Sequence, residues 1–389
     1  MLIGIIGAPN KGKTTIFSAL TMVEAAIASY PFTTINPNFG IAYITKKCVD
    51  RELGVRCNPR NSLCTDGIRQ IPVNITDVAG LVPDAHLGKG MGNQFLNDLI
   101  SASAFVQVVD LSGRTDIHGN PCTGCKPEEE VIAIKKEIAL WLSGIIQRHM
   151  KSINKRNDGD MALKEILTGF NVSIEQIRKA AELNYLSTSE ISWSEEDSYK
   201  FADSLIAMSK PTIIAANKLD QSSVGALDDL KSKLKGYTVI GCSGAIELAL
   251  RKAAERGVID YIPGSDGFSI KKEVNKEQED ALKYMADFIK KNKGTGVQEI
   301  INTVTFGVLD SIVVYPVEDE NKYTDHFGNV LPDALLVRKG SNARDMAEMI
   351  HTNLAKGMLY AIDARKKLKV SRDYVLKDND VIKIVSAMK

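Results

Sequence analysis

Short apolar runs alternate with amphipathic segments along most of this chain. The runs are rich in Val, Ile or Ala, which is typical of strands buried on both faces of a parallel sheet. They are Met1 to Ile6, Phe39 to Ile44, Ile71 to Ile75, Ala104 to Leu111, Pro211 to Ala216 and Tyr237 to Gly241. After the first run, the spacing of apolar residues predicts a helix over Thr15 to Ala28. The alternation predicts an α/β fold with a doubly wound sheet.

The alternation is interrupted between Asp110 and Thr212. Helical spacing dominates there, most clearly over Val131 to Lys151 and Ile174 to Leu183. We interpret this region as a helical insertion and expect a hairpin that stands off the sheet. Beyond the last strand of the sheet, further helices are predicted over Ile246 to Arg256 and Lys276 to Lys290.

The chain after Phe306 has a different pattern, in which short strands flank one helix that Ser341 is expected to cap. The strands cover Ser311 to Val317, Ala334 to Val337 and Val381 to Val385, and the helix covers Asn342 to Leu354. A small mixed β domain follows from this pattern. We therefore divide the chain into a sheet domain of residues 1–127 and 210–304, an insertion of residues 128–209 and a C-terminal domain of residues 305–389.

Composition excludes several classes of protein. The 389 residues carry 49 Lys and Arg against 48 Asp and Glu, and 44% of them are hydrophobic, so neither a disordered chain nor a strongly basic nucleic-acid coat fits. No apolar run approaches the roughly 18–20 residues that span a bilayer, and Met1 leads directly into a predicted strand. Six cysteines do not make a disulfide framework in a chain of this length. We expect a cytoplasmic protein without a membrane partner.

Residues 7–14, with the sequence GAPNKGKT, lie between the first predicted strand and the first helix. In this context G-x-x-x-x-G-K-[ST] binds phosphates, because its backbone N–H groups face the anion. Lys13 would reach the β- and γ-phosphates, and the Thr14 hydroxyl would ligate Mg²⁺. The alternative is a chance glycine turn. The expected nucleotide-binding residues are Gly7, Ala8, Pro9, Asn10, Lys11, Gly12, Lys13, Thr14 and Thr15.

A D-x-x-G motif follows the predicted strand Ile71 to Ile75. Asp77 could hold Mg²⁺ through water, and Gly80 could offer its N–H to a γ-phosphate. Alone this motif is weak, because any Asp that leaves a strand toward a turn would look the same. Its position after the phosphate-binding motif makes the metal assignment worth testing.

Two later motifs suggest which base is bound. Asn217-Lys218-Leu219-Asp220 follows a predicted strand, and the Asp220 carboxylate can accept both the N1–H and the N2–H₂ of guanine, a donor pair that adenine lacks. Lys218 could cover the ring plane. The sequence Ser243, Gly244 and Ala245, after the last predicted strand, could offer backbone N–H to the guanine carbonyl. Four motifs in this order jointly predict a guanine nucleotide site.

These motifs make the chain resemble the Obg-like GTPases, closely the archaeal branch of the YchF group, over nearly its whole length. The supporting stretches are GAPNKGKT, YPFTTINPNFG at residues 30–40, the run at residues 77–96, NKLD, the run at residues 247–264, and a C-terminal part similar to a TGS domain. The resemblance implies a P-loop NTPase fold with a helical insertion and a C-terminal β-grasp, ubiquitin-like domain. It also implies that Thr34, or its neighbour Thr33, ligates Mg²⁺ and senses the γ-phosphate.

The residue after D-x-x-G departs from Ras-like enzymes. A Gln there orients the attacking water in those enzymes, whereas this chain has Leu81, which cannot form a hydrogen bond through its side chain. We therefore expect slow intrinsic hydrolysis. His86 is a candidate substitute, and the alternative is a solvated loop histidine. The candidate catalytic residues are Lys13, Thr34, Gly80 and His86, and the candidate Mg²⁺ ligands are Thr14, Thr34 and Asp77.

Asn10 suggests a second way to replace the glutamine. It occupies the loop position at which some related glutamine-lacking GTPases hold a potassium ion, so K⁺ is a hypothesis in addition to GTP or GDP and Mg²⁺. The alternative is that Asn10 tolerates a left-handed turn. By the same resemblance, bacterial relatives carry a histidine at the position of Gln107, so a role played by that histidine is not expected here. Bacterial and eukaryotic relatives also lose the carboxylate of NKxD and tend to use ATP, so the intact motif favours GTP here.

Two features outside the nucleotide motifs remain open. Cys57, Cys64, Cys122 and Cys125 could complete a tetrahedral zinc site, but their spacing is not that of a zinc knuckle, and the alternative is four loop cysteines. Two basic clusters in the TGS-like part suit RNA phosphates, with a solvated surface as the alternative. They comprise Arg338, Lys339 and Arg344, then Lys356, Arg365, Lys366, Lys367, Lys369 and Arg372. No aromatic motif supports base-specific reading, and no DNA sequence readout is expected.

Taken with the resemblance, the motifs predict a regulatory GTPase that hydrolyses GTP to GDP and phosphate and associates with the ribosome or RNA through its TGS domain. Its GTP and GDP states would differ in the two switch segments. One alternative is a nucleotide-gated RNA-binding module with negligible turnover, suggested by Leu81. Another is an ATPase.

Overall fold

The computed structural model describes residues 1–22, 39–78, 100–154, 158–188 and 191–387. The strands are β1 (Leu2–Ile6), β2 (Phe39–Lys47), β3 (Leu63–Thr65), β4 (Ile68–Asp77), β5 (Ala104–Asp110), β6 (Thr212–Asn217), β7 (Val239–Gly241), β8 (Ile259–Asp260), β9 (Ser269–Ile270), β10 (Ser311–Val317), β11 (Leu335–Arg338), β12 (Met358–Asp363), β13 (Leu368–Val370) and β14 (Asp380–Ser386).

The α-helices of the described residues are α1 (Lys13–Thr21), α2 (Pro127–Ile153), α3 (Gly159–Ile166), α4 (Ile174–Leu183), α5 (Glu195–Ser209), α6 (Ala226–Lys233), α7 (Gly244–Glu255), α8 (Lys276–Asn292), α9 (Val297–Asn302), α10 (Ala343–Ile350) and α11 (Thr352–Lys356). Short 3-10 helices lie at Thr168–Phe170 and Leu219–Gln221, and a π-helical turn covers Thr303–Val308. No helix among these is long and apolar enough to cross a membrane.

The larger sheet has the strand order β2-β4-β1-β5-β6-β7, with β3 paired to β4 as an antiparallel strand. The strand pairs β1–β4, β1–β5, β5–β6 and β6–β7 are all parallel, as the sequence predicts. Ile5 lies beside Asp77, and Asp110 lies beside Asn217. Because these residues stand at the carboxyl ends of their strands, the segments that follow them meet at one edge of the sheet, where ligands of open α/β sheets bind.

The described residues fall into two compact units. The first holds residues 1–22, 39–41 and 74–300, apart from its gaps, and the second holds residues 42–73 and 301–387. Hydrogen bonds within the second unit join its two distant segments, since the backbone N–H groups of Asn58 and Arg60 donate to the carbonyls of Val330 and Pro332. The sequence did not indicate that residues 42–73 belong with the C-terminal part.

The segment predicted to be a helical insertion contains α2 to α5. The expectation of a hairpin standing off the sheet was wrong: one buried cluster contains Ile6 and Phe105 of the sheet together with Ile134 and Leu205 of the helices. The apolar face of α2 is long enough to pack against both the sheet and the neighbouring helices. The insertion therefore shares a continuous core with the sheet.

The second unit contains a five-stranded sheet with the order β11-β10-β14-β12-β13. Strands β10 and β14 are parallel, and the other pairs are antiparallel. Helix α10 buries Met346 and Ala347 against this sheet, whose residues Val314 and Ile382 belong to the same apolar cluster. Strands β12 and β13 were not predicted from the sequence.

The cap of α10 differs from the sequence prediction. Asn342, not Ser341, is the N-cap, and its side-chain oxygen accepts hydrogen bonds from the backbone N–H groups of Arg344 and Asp345 at 2.9 and 3.0 Å. The Asp345 carboxylate in turn accepts from the Asn342 backbone N–H at 2.8 Å. This reciprocal capping box satisfies donors that the first turn of a helix leaves free.

Candidate functional site

The loop between β1 and α1 has the backbone of a phosphate-binding loop. Gly7 and Gly12 both adopt positive φ angles, 144° and 89°. A Cβ atom at Gly7 would lie 2.5 Å from the carbonyl oxygen of Val108, and one at Gly12 would collide with the amide of Asn217. Only glycine therefore fits at either position, which explains the spacing that the sequence shows.

Lys13 is the charged residue of this loop. Its side chain is buried, and Nζ donates a hydrogen bond to the Ala8 carbonyl at 2.8 Å. Burial lowers the pKa of Lys13, while the charges of Asp77 and Glu130 act in the opposite direction. A phosphate group would offer this cation a stronger partner than a neutral carbonyl does.

A buried ion pair that the sequence did not reveal supports the same loop. Lys11 Nζ lies 2.9 Å from Glu130 Oε2, and both side chains are buried. Glu130 Oε1 also accepts from the Ala8 backbone N–H at 3.3 Å, and Lys11 Nζ donates to the Thr115 carbonyl at 2.9 Å. Burial raises the pKa of Glu130, with Lys11 opposing the shift. Glu130 follows two other glutamates at the start of α2, so nothing in the sequence distinguishes it.

The predicted magnesium ligands Thr14 and Asp77 come together. Thr14 Oγ1 donates to Asp77 Oδ2 at 2.7 Å. The other carboxylate oxygen, Asp77 Oδ1, is buried and has no hydrogen-bond partner among the described residues. Burial raises the pKa of Asp77, against the effects of Thr14 and Lys13. A hydroxyl beside a buried acceptor with spare capacity is a donor set that fits Mg²⁺ and its bound waters.

The NKLD segment links the phosphate loop to the expected base site. Asn217 Nδ2 donates to the Lys11 carbonyl at 2.9 Å, and Asn217 Oδ1 accepts from the Gly244 N–H at 3.0 Å. One amide therefore holds the loop and the Ser243–Gly244 segment together. Ser243 Oγ is engaged as the cap of α7, where it accepts from the Ile246 N–H at 3.3 Å. The structure thus brings the first, third and fourth motifs to one place.

Lys218 and Asp220 have different environments. Lys218 Nζ lies 2.8 Å from Asp110 Oδ2, a buried partner that the sequence analysis did not identify. Burial alone would raise the pKa of Asp110, but hydrogen bonds, with the one from Lys218 first, lower it below its usual value. Asp220 Oδ1 is buried and finds no hydrogen-bond partner in the described parts of the chain. An acceptor in that state is available to a ligand donor.

Asn10 combines the two properties weighed for it. Its φ angle is 62°, in the left-handed region, and its side-chain Nδ2 donates to the Gly119 carbonyl at 2.9 Å. Neither observation tests the potassium hypothesis. Gln107 is buried, and its Nε2 donates to the Glu130 carbonyl at 3.5 Å.

Several predicted site residues lie outside the described residues. They are Thr34 and its alternative Thr33 in the predicted first switch segment, and Gly80, Leu81 and His86 in the predicted second one. Their roles remain predictions from the sequence.

The cysteines do not form the four-cysteine site considered from the sequence. Cys122 and Cys125 are joined to each other by a disulfide, so neither sulfur is available as a thiolate ligand. Cys57 and Cys64 are free thiols in the second unit.

The basic residues of the two predicted clusters are all exposed, but several are engaged within the unit. Lys366 pairs with Asp363 at 2.5 Å, and Arg365 pairs with Glu52 at 2.9 Å. Lys367 bonds to the carbonyl of Glu320, and Lys369 lies 3.8 Å from the centre of the Tyr360 ring. Arg338, Arg344, Lys356 and Arg372 are exposed too.

Three family models match the chain. The model described as 50S ribosome-binding GTPase matches residues 2–153. The Obg-like GTPase YGR210-like, G4 motif-containing domain matches residues 215–319, and the TGS domain matches residues 327–386.

Relatives match along nearly the whole chain. An uncharacterized GTP-binding protein of Methanocaldococcus jannaschii is 50% identical over 100% of both chains. An uncharacterized GTP-binding protein of Schizosaccharomyces pombe is 31% identical over 90% of both chains. A protein of Mycoplasma genitalium named as the ribosome-binding ATPase YchF is 26% identical over 97% of both chains.

The crystal structure of a GTP-binding protein from Pyrococcus horikoshii OT3 superposes with a TM-score of 0.80, at 37% identity and with 100% of both chains covered. With the family models, this match confirms the predicted fold class, a P-loop GTPase sheet with a C-terminal TGS domain.

Proposed function

Because this chain belongs to the YchF-type Obg-like GTPases, we propose that it binds GTP with Mg²⁺, hydrolyses it to GDP and phosphate, and acts as a regulatory switch on the ribosome or on RNA. The observation that carries the choice of GTP is the buried Oδ1 atom of Asp220, which has no hydrogen-bond partner among the residues that the structure describes. An acceptor of this kind suits the two adjacent N–H donors of guanine, and it would be left without a partner by adenine.

The phosphate-binding loop would act through its backbone and one cation. Gly7 and Gly12 shape the loop so that its N–H groups can face the phosphates. Lys13 would exchange the Ala8 carbonyl for the β- and γ-phosphates. Since burial already disfavours its charge, Lys13 gains strongly from this exchange.

Thr14, Asp77 and, by resemblance, Thr34 would hold the metal. Mg²⁺ would neutralise part of the phosphate charge when it is bound. Asp77 contributes its spare buried oxygen, and its existing hydrogen bond orients the Thr14 hydroxyl. Gly80 would offer its backbone N–H to the γ-phosphate, so that loss of this phosphate releases both switch segments.

Hydrolysis requires a water molecule to attack the γ-phosphorus while the bond to the β-phosphate oxygen breaks. Leu81 cannot position that water through a hydrogen bond, so we assign this role to His86 and expect slow turnover without a partner. A basal rate that rises on contact with the partner is the behaviour of a switch.

Association with the ribosome is supported by a relative named as a ribosome-binding ATPase and by the matched model described as a 50S ribosome-binding GTPase. The exposed basic surface of the C-terminal part is a further reason. Arg338, Arg344, Lys356 and Arg372 are among the exposed cations and would contact RNA phosphates. Association with ribosomes would also give the protein the cytoplasmic location expected from its sequence.

Nucleotide titration of the full chain tests this proposal. Calorimetry with GTP, GDP and ATP should show a clear preference for the guanine nucleotides, and equal affinity for ATP and GTP would overturn the base assignment in favour of an ATPase. Single-turnover hydrolysis with and without ribosomes then separates a switch from an RNA-binding module: a rate that stays negligible in both conditions contradicts the switch.

A further inference from the structure

Three cysteines and one aspartate gather in the second unit, apart from every nucleotide motif. Cys48 follows β2, Asp50 and Cys57 lie in the loop after it, and Cys64 lies in β3. Their side-chain ligand atoms all fall within 4.8 Å of one another. Cys48 and Asp50 are buried, whereas Cys57 and Cys64 are half-buried. Only Cys57 and Cys64 of these four residues were predicted as possible ligands, and they were grouped with Cys122 and Cys125.

The distance between two of the sulfur atoms is that expected for two ligands of one metal ion. Cys48 Sγ and Cys57 Sγ are 3.9 Å apart, and the three cysteines are free thiols. Zn²⁺ binds thiolate sulfur at about 2.3 Å in tetrahedral sites, which places two such sulfurs about 3.8 Å from each other. A disulfide would need roughly 2 Å instead.

Backbone contacts hold the four side chains in place. The Cys48 N–H donates to the Gly67 carbonyl at 2.8 Å, at the turn between β3 and β4. Cys64 pairs with Arg69 across that hairpin. The Asp50 carboxylate accepts from the Arg51 N–H at 2.8 Å, and its backbone carbonyl accepts from the Val55 N–H at 3.0 Å. The ligand geometry is therefore set by a turn and a hairpin rather than by flexible side chains alone.

A buried cation lies next to the cluster. Arg69 is 0% exposed, and its Nη2 donates to the Leu331 carbonyl at 3.0 Å. Its Nε and Nη1 atoms have no hydrogen-bond partner among the described residues. Three thiolates and a carboxylate around a divalent ion would carry a net charge of −2, so a neighbouring buried guanidinium would be stabilised by that charge and would offset part of it.

We propose that Cys48, Asp50, Cys57 and Cys64 form a structural zinc site. Three soft sulfur donors with one oxygen favour Zn²⁺ over Mg²⁺ or Ca²⁺. Four protein ligands close the coordination shell and leave no position for substrate, as in structural sites. The ion would stabilise the loop between Cys48 and Cys64. No helix lies in this loop, and β3 begins only at Leu63. The free energy of zinc binding would therefore contribute directly to the folding of this loop.

Metal analysis of the full-length protein, purified without chelator after growth with zinc chloride, tests the site. We expect about one zinc per chain by mass spectrometry, and at least a tenfold lower content in Cys64→Ser. The matched control is the double variant Cys122→Ser/Cys125→Ser, whose cysteines lie in the first unit and are bonded to each other, and it should keep its zinc. Zinc retained at the original stoichiometry in both Cys57→Ser and Cys64→Ser would refute the proposal.

Cobalt substitution provides a measurement that does not depend on a variant that folds poorly. Cobalt chloride added to the zinc-depleted, otherwise unmodified chain should produce thiolate-to-cobalt charge-transfer bands and the visible bands of a tetrahedral ion. Asp50→Asn should keep the charge-transfer bands and shift the visible ones, because it retains all three sulfurs. Absence of both sets of bands, or a Cys48–Cys57 disulfide found by peptide mapping in the protein as purified without chelator, would overturn the site.

Discussion

Recognition of the base depends on one carboxylate oxygen. Asp220→Asn replaces the buried acceptor with an amide, so we expect GTP affinity to fall about 10- to 100-fold, the value of a hydrogen bond to a charged group. Xanthine nucleotides, whose C2 carbonyl suits an amide donor, should bind the variant better than GTP does. Calorimetric titration of both proteins with both nucleotides measures the exchange of preference. Unchanged GTP affinity in the variant would remove Asp220 from the base site.

The buried pair beneath the phosphate loop should matter for stability. Glu130→Gln leaves the Lys11 charge without its carboxylate, and breaking a buried pair in this way costs about 3–5 kcal/mol. We expect the lower end of that range, because Lys11 keeps its hydrogen bonds to Thr115. Chemical denaturation of the variant measures the loss. Glu129→Gln, at an exposed neighbour, is the control and should change stability by less than about 0.5 kcal/mol.

Potassium dependence can be tested at Asn10. If the amide helps hold a monovalent cation, GTP turnover should be at least about tenfold faster in potassium than in sodium at equal ionic strength, still below the 10³–10⁵ that an arginine finger supplies. Asn10→Ala should abolish the difference, but it also strains a left-handed backbone. Asn10→Gly removes the amide without that strain and is the matched variant. Equal rates in both salts for the unmodified protein would exclude the cation.

Roles of single residues were predicted correctly where the residue type and its spacing are compatible with few other structural roles. Gly7 and Gly12 were predicted because a phosphate-binding motif between a strand and a helix places glycine at these two positions, and the structure requires glycine at both. Glu130 and Asp110 were missed, although each is buried and pairs with a predicted lysine. The sequence does not show whether a carboxylate is buried, because burial and the choice of partner depend on tertiary contacts between α2, β5 and the loops.

At the scale of elements, the cap of α10 offers a sharp test. Asn342→Ala removes the acceptor of two backbone N–H groups and should lower stability by about 1 kcal/mol. Ser341→Ala, one residue earlier, should have little effect. The thermal unfolding midpoints of the two variants distinguish these outcomes. A larger loss at Ser341 would reinstate the cap that the sequence suggested.

Strands and helices with strong periodicity were predicted closely. The strand Ser311–Val317 and the helix Ile174–Leu183 have the predicted bounds. Strand β13 escaped prediction because Leu368–Val370 is only three residues long, mixes apolar and basic side chains and exposes two of its three residues. Strand β12, with the sequence MLYAID, lacks the regular alternation of apolar and polar residues that marks a half-buried strand. The position of β12 in the sheet is decided by its pairing with β14, and that of β13 by its pairing with β12.

At the scale of the whole molecule, the exposed basic residues should control association rather than nucleotide binding. Replacing Arg338, Arg344, Lys356 and Arg372 with glutamine in the full chain should weaken co-sedimentation with ribosomes and flatten its dependence on salt. GTP affinity should stay the same, since the nucleotide motifs lie in the first unit.

The matched control replaces four exposed lysines of the first unit, namely Lys283, Lys290, Lys291 and Lys293, with glutamine. It changes the net charge equally and should leave ribosome association unaffected. If both variants lose association to the same extent, binding depends on total charge and not on the C-terminal surface.

A truncation at Phe306 is a poor substitute for these variants. The second unit includes residues 42–73, and Arg69 within them bonds to the carbonyls of Leu331 and Pro332. Removing the C-terminal part would leave a buried guanidinium without acceptors. Loss of ribosome binding in such a protein would therefore report misfolding as well as a missing surface.

Because the second unit consists of two segments that are distant in sequence, the ribosome synthesises them at different times. Ribosomes add about 5–20 residues per second, so the roughly 230 residues between residue 73 and residue 301 take on the order of 10–50 s to synthesise, and residues 42–73 wait that long for their partner segment. During that interval Arg69 lacks its carbonyl acceptors. The proposed zinc ligands, in contrast, all lie between Cys48 and Cys64 and leave the exit tunnel together. Zinc capture would give the waiting segment a local structure early, while the unit as a whole could close only near the end of translation.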